Sequence, residues 1–252
     1  MMCQTDYERR RQMLVTSELS KSFGPIKAVD QISLKAEAGE VLGVLGPNGA
    51  GKTTFSRLIA TLLSPTSGTA TVDGHDIIKE AEKVRQVIGF LPTEPGLYGR
   101  FTAVENLRYF GRLHSMDEKD LAQRIDYLLK KFDLYEERDR RTAGFSKGMM
   151  QKVSLIRSVL HDPKVLLLDE PTAGLDVPAA RVVLDMVKEF KAEGKCILFS
   201  THRMAEAEKI CDRMVIIAKG RIVAQGTVAE LRQQAGQDDL EEIFLRLVGE
   251  AS

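Results

Sequence analysis

A chain of 252 residues with 43% hydrophobic content is long enough to bury one large core or two small ones. Its 36 basic residues balance 36 acidic ones, so the basic excess usual in nucleic-acid-binding domains is missing and no nucleic-acid partner is expected. Cys3, Cys196 and Cys211 are too scattered for a disulfide framework or a metal pattern, and Cys196, inside the apolar run Cys196-Ile197-Leu198-Phe199, reads as a buried core thiol.

The first 12 residues form a polar leader without the apolar stretch of a signal peptide. Its Arg9-Arg10-Arg11 is interleaved with Asp6 and Glu8 and reads as solvated rather than lipid-facing. No run approaches the ~18–20 apolar residues of a membrane span. The expectation is a soluble cytoplasmic protein, brought to a membrane only by a partner. Strands are expected at 13–19 and 32–37, with Phe23-Gly24-Pro25 as the turn region between them, and at 40–45. A helix is expected over 52–63, stopped by Ser64-Pro65, then strands at 69–72 and 87–91 around a short helix at 78–85.

From about 97 to 160 the pattern turns helical. Thr102-Ala103-Val104-Glu105 and Ser115-Met116-Asp117-Glu118 both have capping-box spacing. Strands return at 165–168, 196–200 and 214–218, with helices between them. Thr227-Val228-Ala229-Glu230 opens one terminal helix and 240–248 forms another. This alternation predicts an α/β core over 13–234 carrying a helical insert, followed by a helical tail at 235–252.

Gly46-Pro47-Asn48-Gly49-Ala50-Gly51-Lys52-Thr53 fits the phosphate-loop pattern, with an expected strand before it and a helix after it. Glycines let backbone N–H groups curl around phosphate oxygens, and the helix N-terminus adds positive potential. Lys52 can reach the β- and γ-phosphates, and the Thr53 hydroxyl can ligate Mg²⁺. A chance Gly-rich turn would not carry both flanks. The apolar run Val165-Leu166-Leu167-Leu168 ends in Asp169-Glu170. Asp169 can hold Mg²⁺ through water, and Glu170 can serve as general base for the attacking water. Up to this point a GTPase, a kinase or a helicase fits equally.

Phe145-Ser146-Lys147-Gly148-Met149-Met150-Gln151 stands 23 residues before Asp169 (169 − 146). It resembles the signature motif of ATP-binding-cassette (ABC) ATPases, usually Leu-Ser-Gly-Gly-Gln. Pro171-Thr172-Ala173-Gly174-Leu175-Asp176 resembles that family's D-loop, and Ser200-Thr201-His202 its switch histidine. The resemblance covers nearly the whole chain. It implies a RecA-like P-loop NTPase core with an N-terminal antiparallel β-subdomain and a helical, signature-bearing subdomain.

For the site, the resemblance implies ATP held by Phe23, Val29 and the loop from Gly46 through Thr54, with Phe23 stacked on the adenine. Lys52, Glu170 and His202 would be catalytic, and Thr53 and Asp169 would hold Mg²⁺. Ser146, Lys147, Gly148 and Met149 would act in trans, on ATP bound to a second copy or a related cassette, with Asp176 in the D-loop beside them.

Two departures stand out. Thr93-Glu94 occupies the place of the family's coupling glutamine, leaving either residue as its substitute, and Lys147 replaces the first signature glycine. The run from Gly96 to Leu107 is similar to exporter ATPases, most of all the bacterial sodium-extrusion and drug-resistance types. That likeness implies an integral membrane permease as partner, with Tyr98 a candidate contact and Leu97 a packing residue. Alternatives are a soluble ABC ATPase of iron–sulfur assembly or the ribosome, and an inactive regulatory cassette. The presence of Lys52, Asp169, Glu170 and His202 argues against the last.

Overall fold

A computed structural model describes residues 12–94 and 96–250. The leader with its three arginines and Cys3 therefore lies outside the described residues. Two sheets organise the chain. Gln12–Phe23 (β1) and Ile26–Glu37 (β2) form a long hairpin whose turn falls at Gly24-Pro25. β1 also pairs with Ser67–Val72 (β4), and β4 with the two-residue His75–Asp76 (β5), giving an antiparallel sheet in the order β2-β1-β4-β5.

The second sheet has six strands. In spatial order these are Arg221–Gly226 (β10), Arg213–Ala218 (β9), Val41–Leu45 (β3), Cys196–Thr201 (β8), Val165–Asp169 (β7) and Ile88–Leu91 (β6). It is parallel from β9 to β6, and β10 runs antiparallel at one edge. Strands covered on both faces read as continuous apolar runs, and all five residues of β3 and of β7 are buried.

The helices are Lys52–Ile59 (α1), Ala81–Val87 (α2), Ala103–Leu113 (α3), Glu118–Lys131 (α4), Lys147–Val159 (α5), Val177–Ala192 (α6), Met204–Ile210 (α7), Val228–Ala235 (α8) and Leu240–Glu250 (α9). The two-residue period of the strands splits their side chains between two cores. Leu166, Leu168, Ile197 and Phe199 face the helical insert and α6. Leu167, Leu198, Val44 and Val215 face α1 and the antiparallel sheet. Cys196 lies in the latter core, fully buried, and burial pushes its thiol pKa well above the ordinary value. A third, smaller core packs α7, α8 and α9 on Leu45, Met214 and Ile216.

Several expected boundaries move. The helix expected over 52–63 ends at Ile59 and closes in a tight turn, with Thr61 at φ 59° and the Leu62 and Leu63 N–H groups on the Arg57 carbonyl. The capping boxes at Thr102 and Thr227 form. The one expected at Ser115 does not, because Asp117 takes the cap: its carboxylate accepts the Lys119 and Asp120 N–H groups, while Ser115 sits at φ 56°.

Candidate active site

Parallel strands deliver their side chains to one edge, and ligands of open α/β sheets bind outside the carboxyl ends. Here those ends align in register: Leu45 opposite Thr201, Asp169 opposite Ser200, Leu91 opposite Leu168. The phosphate loop after β3, Asp169 and Glu170 at the end of β7, His202 after β8 and Thr93 after β6 therefore converge.

The loop after β3 is held by its surroundings. Gly51 adopts φ 107° with its α-hydrogen toward the Ala28 carbonyl, where a Cβ would come within 2.2 Å, so only glycine fits. Ala50 accepts the Gly220 N–H at 2.9 Å. Gly51 caps α1 without a side-chain bond, which leaves the first-turn N–H groups available to an anion. Lys52 is buried to 6% exposure and folds back on its own loop, donating to the Gly46 carbonyl at 2.6 Å and that of Pro47 at 3.1 Å. Burial lowers its pKa, opposed by the charges of Glu170, whose Oε1 lies 3.9 Å away, and of Asp169.

Asp169 is wholly buried and held by three hydroxyls. Ser200 Oγ donates to Oδ1 at 2.6 Å, while Thr53 and Thr93 each donate to Oδ2 at 2.8 Å. Glu170 adopts φ 52°, a strained backbone for a non-glycine residue, pinned by its N–H on the Ser200 carbonyl at 3.0 Å. His202 Nδ1 lies 2.9 and 3.0 Å from the two Glu170 carboxylate oxygens. The result is an open cleft of about 220 Å³ lined by Ala28, Pro47 through Thr54, Thr93 and Glu170.

Other expected residues fall elsewhere. Val29 is fully buried and packs in the core, and its neighbour Ala28 lines the cleft. Phe23 lies on the hairpin turn, 48% exposed, with the Lys21 ammonium 5.2 Å above its ring. Gly46 contributes its carbonyl to Lys52, and a Cβ there would meet the Ile217 carbonyl at 2.4 Å.

Ser146 caps α5, accepting the Met149 N–H at 3.2 Å, and neither it, Lys147, Gly148 nor Met149 lines the cleft. Asp176 caps α6 on the Ala179 N–H. Glu94 is exposed, whereas Thr93 turns its hydroxyl into the site. Sequence reasoning missed the role of Ser200, a hydroxyl ending an apolar strand beside the acidic pair.

Beneath the helical insert lies a groove of about 780 Å³, lined on its apolar side by Leu62, Phe90, Phe110 and Leu113. Arg57, Arg85, Arg157, His114 and His161 also line it, with no carboxylate. The Arg157 guanidinium stands 4.7 Å over Phe110 and donates to the Gly96 carbonyl, and burial lowers its pKa to about 10. Tyr98 is half exposed on the same insert, packed on Phe101, Tyr109 and Phe110, while Leu97 packs against the helical core.

A phosphate loop, a buried strand-end aspartate and an adjacent glutamate on a parallel sheet define a P-loop ATPase. The sequence pattern of the family described as "ABC transporter" matches residues 29–173. The ABC transporter ATP-binding protein NatA of Bacillus subtilis (strain 168) is 43% identical, over 92% of this chain and 97% of that protein. The daunorubicin resistance ATP-binding protein DrrA3 of Streptomyces coeruleorubidus is 39% identical, over 91% and 72%. A solved structure of an ATP-binding subunit of an ABC transporter superposes with a TM-score of 0.87 at 33% identity, covering 93% of this chain and 99% of that one. The chain belongs to the ABC transporter family, and ATP binding and hydrolysis are its activity.

Proposed function

We propose that this chain is the ATPase subunit of an exporter, in which two cassettes close on two ATP molecules and drive a separate membrane permease. One observation carries the paired reading. The cleft gathers Lys52, Thr53 and Glu170 on one face and stays open, while Ser146, at the capped start of α5, does not line it. Ser146 and Gly148 of a second cassette would complete it.

The donor set fits Mg²⁺. Thr53 and Asp169 offer hard oxygens, and among the described residues no group of three or more His, Cys, Asp or Glu forms a dedicated metal cage. Mg²⁺ characteristically takes one or two protein oxygens and leaves the rest of its shell to water and phosphate. When bound, it neutralises charge developing on the phosphate oxygens.

The chain's own residues do the remaining work. Lys52 exchanges the Gly46 and Pro47 carbonyls for phosphate oxygens. Glu170 accepts a proton from the attacking water, and His202, hydrogen-bonded to it, orients the carboxylate and lends positive character beside the γ-phosphate. Closure is favoured with ATP because only then does the nucleotide touch both cassettes; loss of phosphate reverses the balance. Replacing Glu170 by Gln should preserve ATP binding and lower turnover by about 10²–10⁴-fold. Turnover at the parental rate would remove Glu170 as the base.

The groove is the docking surface for the permease. Its apolar lining suits an amphipathic helix, and its three arginines without a lining carboxylate suit an acidic residue on that helix. The exported species, sodium ions or a drug on the strength of the sequence resemblance, contacts the permease alone. Co-expression with a neighbouring-frame protein of about six ~20-residue apolar spans should give a stable complex. Arg57→Glu, at an exposed position of the groove, should weaken that complex. Recovery of the chain only with ribosomes or a cluster scaffold would contradict the exporter reading.

A further inference from the structure

A buried polar knot lies between the groove-side loop and the signature, and neither the cleft nor the groove lining uses it. Asn106 on α3 has no exposed surface, and Thr142 is 1% exposed. Asn106 Oδ1 accepts the Tyr98 N–H at 2.9 Å, and its Nδ2 donates to the carbonyls of Tyr98 at 3.1 Å and Thr102 at 2.9 Å. One side chain thereby fixes both backbone groups of Tyr98. Thr142 Oγ1 donates to the Tyr98 carbonyl at 3.0 Å, with the Phe101 carbonyl at 3.2 Å as its alternative acceptor.

The backbone repeats the connection. The Thr142 N–H donates to the Phe101 carbonyl at 2.9 Å and the Ala143 N–H to that of Gly99 at 3.0 Å, beside an antiparallel bridge from Thr102 to Arg141. From there the Phe145 N–H returns to the Thr142 carbonyl at 3.0 Å, and the next residue is Ser146. A fully satisfied buried network rigidifies what it joins, because each lost partner strands a desolvated group.

We propose that Asn106 and Thr142 are positioning residues that lock the loop 96–102 and the signature serine Ser146 into one rigid unit. A partner that engages Tyr98 then moves Ser146 with it, and so moves the group that completes the second cassette's ATP site. This functional consequence rests on the exporter reading; the mechanical coupling does not.

Hydrogen–deuterium exchange by mass spectrometry on the full chain separates the two. Thr142→Val keeps the shape and removes the hydroxyl. Exchange should rise about three- to tenfold over both 98–102 and 145–150, with the phosphate loop 46–53 unchanged, as expected for one lost hydrogen bond in a local opening. Thr142→Ser, which restores the hydroxyl, should restore protection in both segments. A rise confined to 98–102, or one shared by the phosphate loop, overturns the proposal. If Thr142→Val does not fold, Thr142→Ala is measured in the same way.

In a Glu170→Gln background, Thr142→Val should bind ATP as the parent does yet lose ATP-dependent pairing, and Thr142→Ser should regain it. A Glu170→Gln parent that never pairs contradicts the two-cassette reading, while the exchange result still decides the coupling.

Discussion

Asp169 is wholly buried and tightly constrained. A buried carboxylate is tolerated only when its lone pairs are satisfied, and here hydroxyls from three different segments do so. In the proposed mechanism Thr53 would have a second task, since its hydroxyl would also help to hold Mg²⁺. Thr93 can keep Oδ2 engaged when it does so, which gives the residue in the glutamine's place a role through Asp169. Removing a group that supports a metal ligand typically lowers metal affinity about 10- to 100-fold. Thr93→Val should therefore raise the Mg²⁺ concentration that half-saturates ATPase activity, with Thr93→Ser near the parent. An unchanged Mg²⁺ titration would remove Thr93 from the site.

At the level of elements, α1 exists to present its N-terminus, and its entry glycine is set by contact rather than by flexibility alone. Gly51→Ala would force a Cβ against the Ala28 carbonyl and strain a backbone at φ 107°, so a loss of several kcal/mol, about 3 or more, is expected along with loss of nucleotide binding. A thermal unfolding scan with and without ATP checks both; a stable variant that still gains stability from ATP would contradict the account of the loop.

Elements with strong periodicity or a contiguous motif were legible beforehand. The apolar runs of β3, β7 and β8 and the cap at Thr102 are examples, and so are the residues that meet at the strand ends. What was not legible depends on three-dimensional neighbours. Val29 carries no local mark of which face of β2 it occupies. Ser115 and Asp117 offer rival caps that the sequence alone does not rank. β10 pairs at the sheet edge with little apolar patterning, and the Asn106–Thr142 knot joins residues 36 apart.

Across the whole molecule, three cores pack against one sheet, and a groove opens between α1, β6 and the helical insert. His161 lines it, its ring stacked 3.7 Å from that of His114, its Nε2–H donating to the Ile88 carbonyl at 2.9 Å. Burial, and secondarily the charge of His114, holds the His161 pKa down to about 4 from its ordinary 6.5. Between those values the unfolded chain binds a proton that the native chain refuses, so stability falls as pH drops through this window and is retained above it. His114, also lowered by burial, adds in the same direction. His161→Gln should flatten the dependence of the urea midpoint on pH between 7 and 5. A slope identical to the parent would show that His161 titrates normally.

The central claim is that each chain supplies half of each of two ATP sites. Its most direct test is the mass in solution of the purified Glu170→Gln chain, compared with ATP and Mg²⁺ and with ADP and Mg²⁺. With ATP the account predicts a particle of twice the 28.0 kDa chain mass, returning to a single chain with ADP or when Ser146 is also replaced by Arg. A chain that binds ATP, fails to hydrolyse it and remains at its single-chain mass would contradict it.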